Sequence, residues 1–409
     1  SGELRVAGMV LGSLDQPHDS SAVADWLFSQ TEVVVRGGRV TWADERGPTG
    51  QGPVQPLVLE QVDLVLRNPG RRHLVRLDAT PPPQWGERWS AMGVFRRPVL
   101  SAASPGDFNA WQGQAYGAFP LLDVAQLRRY ADLGAQVSAG RGALRTWIDV
   151  AAGKVTHATT DLALTEVDVT LDPTLQPLAL ESVTGRIGLR SLTGGLEVTT
   201  DDLRFRTRDG LAWPGGKLLV SYQNTAPSAA APASPSWVQG RLQADQIDLT
   251  ALAQIASKLP LGTTTLAQIQ ALAPSGQVRN LQAQWQGEPW KLPVRYEVSG
   301  AASHLSLGWP LATSANTTPT APAPGWALRG LDLSFEATQA GGWAQVQLRS
   351  GVLNLPGVFE EPHLPIDELS AQLRWQQQGR TVQLNVERLS FANADAAGQA
   401  QATWRTSDV

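Results

Sequence analysis

The sequence predicts an all-β protein, mainly antiparallel with a few short helices. Its strands are expected to form an elongated, curved and twisted β-sheet groove built from repeats. Three observations predict this. Apolar residues recur at period two, with one skip in phase, from one end of the chain to the other. Turn signals punctuate these runs at short intervals. Helical periodicity is confined to a few brief segments.

The recurring pattern is apolar-x-apolar-x-x-apolar-x-apolar. Its first copy is Leu57, Leu59, Val62, Leu64 and Leu66. It returns as Leu162, Leu164, Val167, Val169 and Leu171, then as Leu178, Leu180, Val183, Ile187 and Leu189 with Gly185 in one apolar slot. Later copies are Trp326, Leu328, Leu331, Leu333, Phe335; Leu364, Ile366, Leu369, Ala371, Leu373; and Leu384, Val386, Leu389, Phe391. Alternation places these side chains on one face of a strand. The extra residue would flip the face of a straight strand, so a bulge or short corner is expected there, restoring phase and bending the strand. Intervening positions are polar, as in Glu60, Gln61 and Asp63 or Asp367, Glu368, Ser370 and Gln372. One face is therefore dry and the other wet.

Gly37-Gly38, between Val33/Val35 and Val40/Trp42, predicts a two-residue hairpin. Asn68-Pro69-Gly70, Gly194-Gly195, Asp209-Gly210, Gly341-Gly342 and Gln378-Gly379 predict further turns between short meandering strands. Helices are predicted over 21–30, 123–133, 248–259 and 265–272, the third with Leu249, Leu252, Ile255, Ala256 and Leu259 at helical spacing before Pro260. These helices are expected to plug or cap the apolar face. Residues 225–236 and 314–325 are rich in Ala, Pro, Ser and Thr and read as flexible loop insertions within one array spanning 1–409.

Of the 409 residues, 42% are hydrophobic and 17% charged, enough for a large core. A net charge of −4 argues against nucleic acid as the partner. There is no cysteine, which excludes disulfides and thiolate chemistry. The 15 tryptophans outnumber the 4 tyrosines and 8 phenylalanines, and suit deep cores and apolar–water boundaries. No stretch has the roughly 20 apolar residues of a membrane span. Ser1-Gly2 reads as a cloning scar, and the chain is expected to be a piece of something longer.

No catalytic or metal constellation emerges. His18, His73, His157, His304 and His363 show no metal-ligand spacing. Gly185-Arg186-Ile187-Gly188 is half a nucleotide fingerprint inside a strand pattern. The adjacent carboxylates Asp44-Glu45, Asp201-Asp202 and Glu360-Glu361 point to opposite faces of a strand, so neither pair member is placed to share one substrate bond. No cofactor is expected. The apolar face remains, with two readings: an ordinary core between sheets about 10 Å apart, or an open trough that solvates acyl chains.

Several stretches carry a resemblance. They are Asp25-Trp26-Leu27 leading to Val33-x-Val35 and Val40 to Glu45; Leu66-Arg67-Asn68 with Gly70 to His73 and Ala79 to Pro82; Arg141 to Trp147; and Gly240 to Leu249. The most specific are Gly357 to Pro362 and Phe391 to Gly398. On these the chain resembles the YhdP family of AsmA-like, repeating β-groove proteins of Gram-negative envelopes. The resemblance implies a periplasmic β-groove, an inner-membrane anchor in a segment outside this chain, and movement of phospholipid between inner and outer membranes. It implies phospholipid acyl chains as ligand, the apolar members of the repeats as groove lining, and no catalytic residues. A structural envelope scaffold with a fully packed core is the alternative; a polysaccharide hydrolase is a more distant one.

Overall fold

The computed structural model describes residues 3–6, 9–13, 19–42, 57–99, 104–127, 135–225, 237–287, 293–309, 326–354, 363–379 and 381–406. The chain divides into two compact units, one of residues 1–169 with 179–191, the other of 170–178 with 192–409. Both are antiparallel meanders with few short helices, the predicted fold class.

The first unit opens with a hairpin of β1 (Glu3–Val6) and β2 (Met9–Ser13), then helix α1 (Asp19–Ser29). Strands β3 (Glu32–Trp42), β4 (Leu57–Arg67), β5 (Arg72–Thr80), β6 (Trp89–Arg96) and β7 (Gln112–Asp123) follow. Helix α2 (Val124–Leu127) precedes β8 (Gln136–Ala151), β9 (Lys154–Thr170) and β10 (Leu178–Leu192). From β3 to β9 each strand bonds to the next in sequence.

The second unit begins with β11 (Gly195–Thr207), the short β12 (Ala212–Trp213), β13 (Leu218–Thr225) and β14 (Trp237–Asp248). Helices α3 (Leu249–Ile255) and α4 (Thr263–Leu272) come next, joined through a 3-10 turn at Ala256–Lys258. The meander resumes as β15 (Ser275–Gly287), β16 (Arg295–Trp309), β17 (Trp326–Thr338), β18 (Gly341–Asn354), β19 (His363–Gln378), β20 (Thr381–Ala392) and β21 (Ala397–Arg405). Asp248 caps α3 by accepting from the Ala251 N–H at 2.9 Å.

The phase skip is a bulge inside a single strand. Gln61, Glu166 and Gly330, each the second residue of a skip, have φ of 48°, 52° and 83°. Pairing shifts register at the same places, between Glu60 and Asp63 in β4 and between Arg329 and Leu331 in β17. Strands are consequently longer than predicted, up to 17 residues in β9, because one strand carries both halves of a repeat.

Two turn predictions need correction. Gly37-Gly38 is not a hairpin: β3 runs through it, both halves pair with β4, and Gly37 at φ +59° is a bulge. A glycine at positive φ serves a bulge as readily as a turn, and β4 supplies a complementary apolar row along the whole length. The turn predicted at Gly341-Gly342 falls at Gln339-Ala340, with Gly341 opening β18. The helix predicted over 123–133 is seen at 124–127 only; 128–134 lie outside the described residues, as do 226–236 and 310–325, which hold nearly all of the two predicted loop insertions.

Candidate functional site

Register assigns each side chain to a face, and in the second unit the dry face resolves into rows running across the strands. One row reads Val220, Leu242, Ala283, Val298, Ala337, Gly342, Trp375, Leu384, Trp404 from β13 to β21 without a polar side chain. The adjacent row on the opposite face reads Leu219, Gln243, Gln282, Ser299, Glu336, Trp343, Arg374, Asn385, Thr403. A one-residue step thus changes the chemistry from oil to water.

Burial varies along the dry face. Towards the bulges, Ala302, Leu305, Leu331, Leu348 and Ile366 form a buried cluster, with Leu249 of α3 packed against it. Leu328, Leu333, Leu364 and Leu369 border that cluster. Away from it, Phe335, Leu373, Leu384, Val386, Leu389 and Phe391 are half-buried, and Trp404 is 58% exposed. Helices α3 and α4 pack at the bulge end of β14, β15 and β16. One end of this face is therefore filled by its own helices, while the row stays half-covered from Val220 to Leu384 and ends on the exposed Trp404.

Large rings sit against glycines across the ladder: Trp285 beside Gly240, Trp375 beside Gly342, Phe391 beside Gly398. A methyl group on Gly240 would stand 2.0 Å from the Trp285 ring, so the glycine is what admits the indole flat on the sheet.

In the first unit the dry face carries Leu64, Leu77, Ala91, Gly117 and Thr146 in one row and Leu66, Val75, Gly93, Ala115 and Ile148 in the next. Leu57, Leu59 and Leu64 are half-buried while Val62 and Leu66 are buried. On β9 and β10, Leu164, Val167, Leu178, Leu180 and Val183 are buried; Leu162 and Val169 are half-buried. One end of this face is closed by an aromatic plug. His73 stacks on Trp111 at 4.4 Å, Phe28 of α1 meets Trp111 edge-on at 4.7 Å, and Phe95 and Phe108 complete the cluster.

His73 is fully buried. Asn68 donates its amide N–H to Gln30 O at 2.7 Å and to Leu27 O at 3.4 Å, turning its oxygen towards His73 Nδ1 at 2.7 Å. That orientation assigns the imidazole proton to Nδ1 and leaves Nε2 without a partner. Burial, aided by the positive charge of Arg97, pushes the His73 pKa down to about 4. The group is a neutral structural ring.

The wet face holds ordinary ion pairs. Arg76 and Ser90 bond to Asp78 and keep its carboxyl below the usual range, and Arg186 does the same for Asp161. Among the described residues no group of three His, Asp or Glu is placed to hold a metal. Asp201 and Asp202 are exposed and meet Lys217 and Arg204 respectively; Asp44-Glu45, Glu360-Glu361 and His18 lie outside the described residues.

The repeat template did not single out Val220, Leu242, Ala283 and Val298, because β13 to β16 lack the complete pattern; simple alternation in Gly240 to Ala244 and Leu281 to Trp285 marks Leu242 and Ala283. It also missed a cavity of about 630 Å³ on the wet face of the first unit, whose lining includes Val65, Leu74, Met92, Val94, Tyr116 and Trp147. The signal was the consecutive apolar run Leu64-Val65-Leu66, which serves both faces.

A family model described as YhdP protein matches residues 4–408. The chain belongs to the YhdP family. Membership makes it an AsmA-like envelope protein. No curated protein and no solved structure matches the chain. The YhdP-family assignment and the antiparallel fold fit a non-enzymatic envelope protein. No helix among the described residues is long and apolar enough to cross a membrane.

Proposed function

We propose that this YhdP-family chain is a segment of a lipid conduit, in which phospholipid acyl chains lie on the dry face while headgroups stay at its wet edge. On this reading the chain acts in the periplasm, held to the inner membrane by a segment beyond it, and moves phospholipid between inner and outer membranes without catalysing a reaction. The observation that carries it is the unbroken apolar row from Val220 to Trp404, half-covered as far as Leu384 and exposed at Trp404. At about 4.8 Å per strand, that row runs some 40 Å, longer than one acyl chain.

Each methylene removed from water contributes about 0.8 kcal/mol, so even partial burial of one chain amounts to several kcal/mol. Uniform aliphatic contacts give no deep local minimum, which suits sliding over capture. The experiment is lipid extraction from the purified protein followed by mass spectrometry. Stoichiometric phospholipid is the expected result; its absence from protein folded in the presence of membranes would sink the reading.

A scaffold with a self-packed face is the second reading, favoured by the buried cluster around Leu305, Leu331 and Leu348. It predicts a lipid-free protein whose dry face resists a membrane-permeant photocrosslinker throughout.

A further inference from the structure

The plugged end of the first unit concentrates positive charge and exposed apolar groups. Here the β4–β5 turn, residues 97–99 and 104–111 and the β8–β9 turn lie at one end of the strands, with Arg97 N–H bonded to Arg71 O at 3.0 Å and Gly153 N–H to Trp111 O at 3.1 Å. Helix α1 packs on the same end, with Asp25 accepting from the Gly106 N–H at 2.7 Å.

Arg72 of β5 and Arg96 of β6 are direct cross-strand partners, so their side chains leave the same face as neighbours. Like charges in that position repel and are normally avoided. Arg71 and Arg97 follow on either side, and Arg71 spends its guanidinium on the Pro98 carbonyl at 3.3 Å. None of the four meets a carboxylate among the described residues, and the buried Arg97 Nε has no acceptor. The nearby acids are engaged elsewhere: Asp25 with Gly106, Asp107 with the Asn109 N–H, Glu32 with Arg67.

Exposed apolar groups stand at the same end of the strands: Val99 (72%), Trp26 (59%), Val155 (55%) and Phe108 (50%). His73 and Phe95 of the plug pair one step inside Arg72 and Arg96, so the two arginines leave the opposite face of the sheet at this edge. Phe108 is the exposed member of the plug, meeting Phe28 at 5.4 Å, and Trp26 lies on α1 two residues before Phe28. An edge with arginines free of carboxylate among the described residues on one side and aromatic and aliphatic tips on the other matches the headgroup layer of an anionic bilayer met end-on, which supplies phosphate to the guanidinium groups and hydrocarbon to the rings.

We propose that this end of the first unit is a docking surface for an anionic lipid bilayer, held by Arg71, Arg72 and Arg96 and wedged by Trp26, Val99 and Phe108. The proposal extends the conduit reading by naming where this chain itself meets a membrane, and the two fail separately: lipid content is measured on the same preparation.

The test is flotation of the full chain with phosphatidylcholine vesicles, with or without about one-third phosphatidylglycerol, at low and high salt. Binding is expected only with phosphatidylglycerol and is expected to fall as salt rises. Each arginine removed should weaken binding about fivefold, so R72Q/R96Q loses more than tenfold and R72E/R96E more still. W26S/F108S should lose severalfold with unchanged circular dichroism. The absence of native cysteine allows a single environment-sensitive label at Val99→Cys, whose emission should shift blue on anionic vesicles. A label at Glu87→Cys, on the β5–β6 connection at the other strand ends, should not. Equal binding to both vesicle types, wild-type binding by R72Q/R96Q, or a shift at position 87 instead of 99 overturns the proposal.

Discussion

At the scale of single residues, two polar groups explain how an apolar face tolerates interruptions. At two bulges a backbone N–H is freed and an aspartate on the next strand accepts it: Asp63 from Gly37 at 2.9 Å, and Asp332 from His304 at 3.0 Å. In both cases the aspartate lies two residues past its own strand's bulge, at Gln61 and Gly330. Asp332→Ala should therefore lower stability by about 1 kcal/mol, read as a drop in the urea midpoint, whereas Asp367→Ala on the same wet face should leave it unchanged. His73 acts differently. Its folded pKa of about 4 lies below the ordinary 6.5, so the unfolded chain binds the extra proton first. Stability from this ring is complete above pH 6.5, declines as pH falls towards 4, and changes no further below that. The loss approaches about 3 kcal/mol, and His73→Phe should remove most of the difference between urea midpoints measured at pH 7 and pH 5.

At the scale of the element, the bulge is what keeps a long strand on one face. In β4, Leu57 and Leu59 precede Gln61, and Val62, Leu64 and Leu66 follow it, all on the dry side. Deleting Gln61 would rotate Leu57 and Leu59 to the wet face and set Val58 and Glu60 against the apolar row. Thermal unfolding should then show the first unit's transition lost or lowered by many degrees. Gln61→Gly should have the opposite effect, up to about 1 kcal/mol of added stability, because φ +48° burdens any residue with a Cβ. A melting temperature of the deletion equal to wild type would show that the register is held elsewhere. The plug is a second element-level device: α1 brings Phe28 to a ring cluster built from β5, β6 and the segment before β7, closing one end of a face that its strands alone leave open.

At the scale of the whole molecule, each unit shows a dry face that is part core and part open surface. In the second unit the buried cluster beneath α3 stabilises the fold, while the row from Val220 to Leu384 is left half-covered. This separation makes the conduit reading testable without unfolding the protein. Val298→Asp with Val386→Asp should abolish phospholipid recovery in mass spectrometry while the fold persists, since neither residue belongs to the buried cluster. Gln345→Asp, on the wet face, should retain lipid. Equal lipid in all three proteins would move the ligand off this face.

Much of this was legible from residues alone, because period-two alternation and its phase skip are local properties of the chain. They determined the strand class, the dry face of β4, β9, β10, β17, β19 and β20, and a break in phase where Gln61, Glu166 and Gly330 stand, with bulge and corner left as alternatives that the structure resolves to a bulge. Pairing was not local. Only the tertiary structure decided that Gly37-Gly38 is a bulge and not a turn, since glycine at positive φ serves both and the choice depends on which strand lies alongside. It also decided that Leu331 and Leu348 are core while Val298 and Val386 stay half-exposed, which depends on where α3 comes to rest. And it placed Arg72 opposite Arg96, a juxtaposition of residues far apart in sequence that register alone creates.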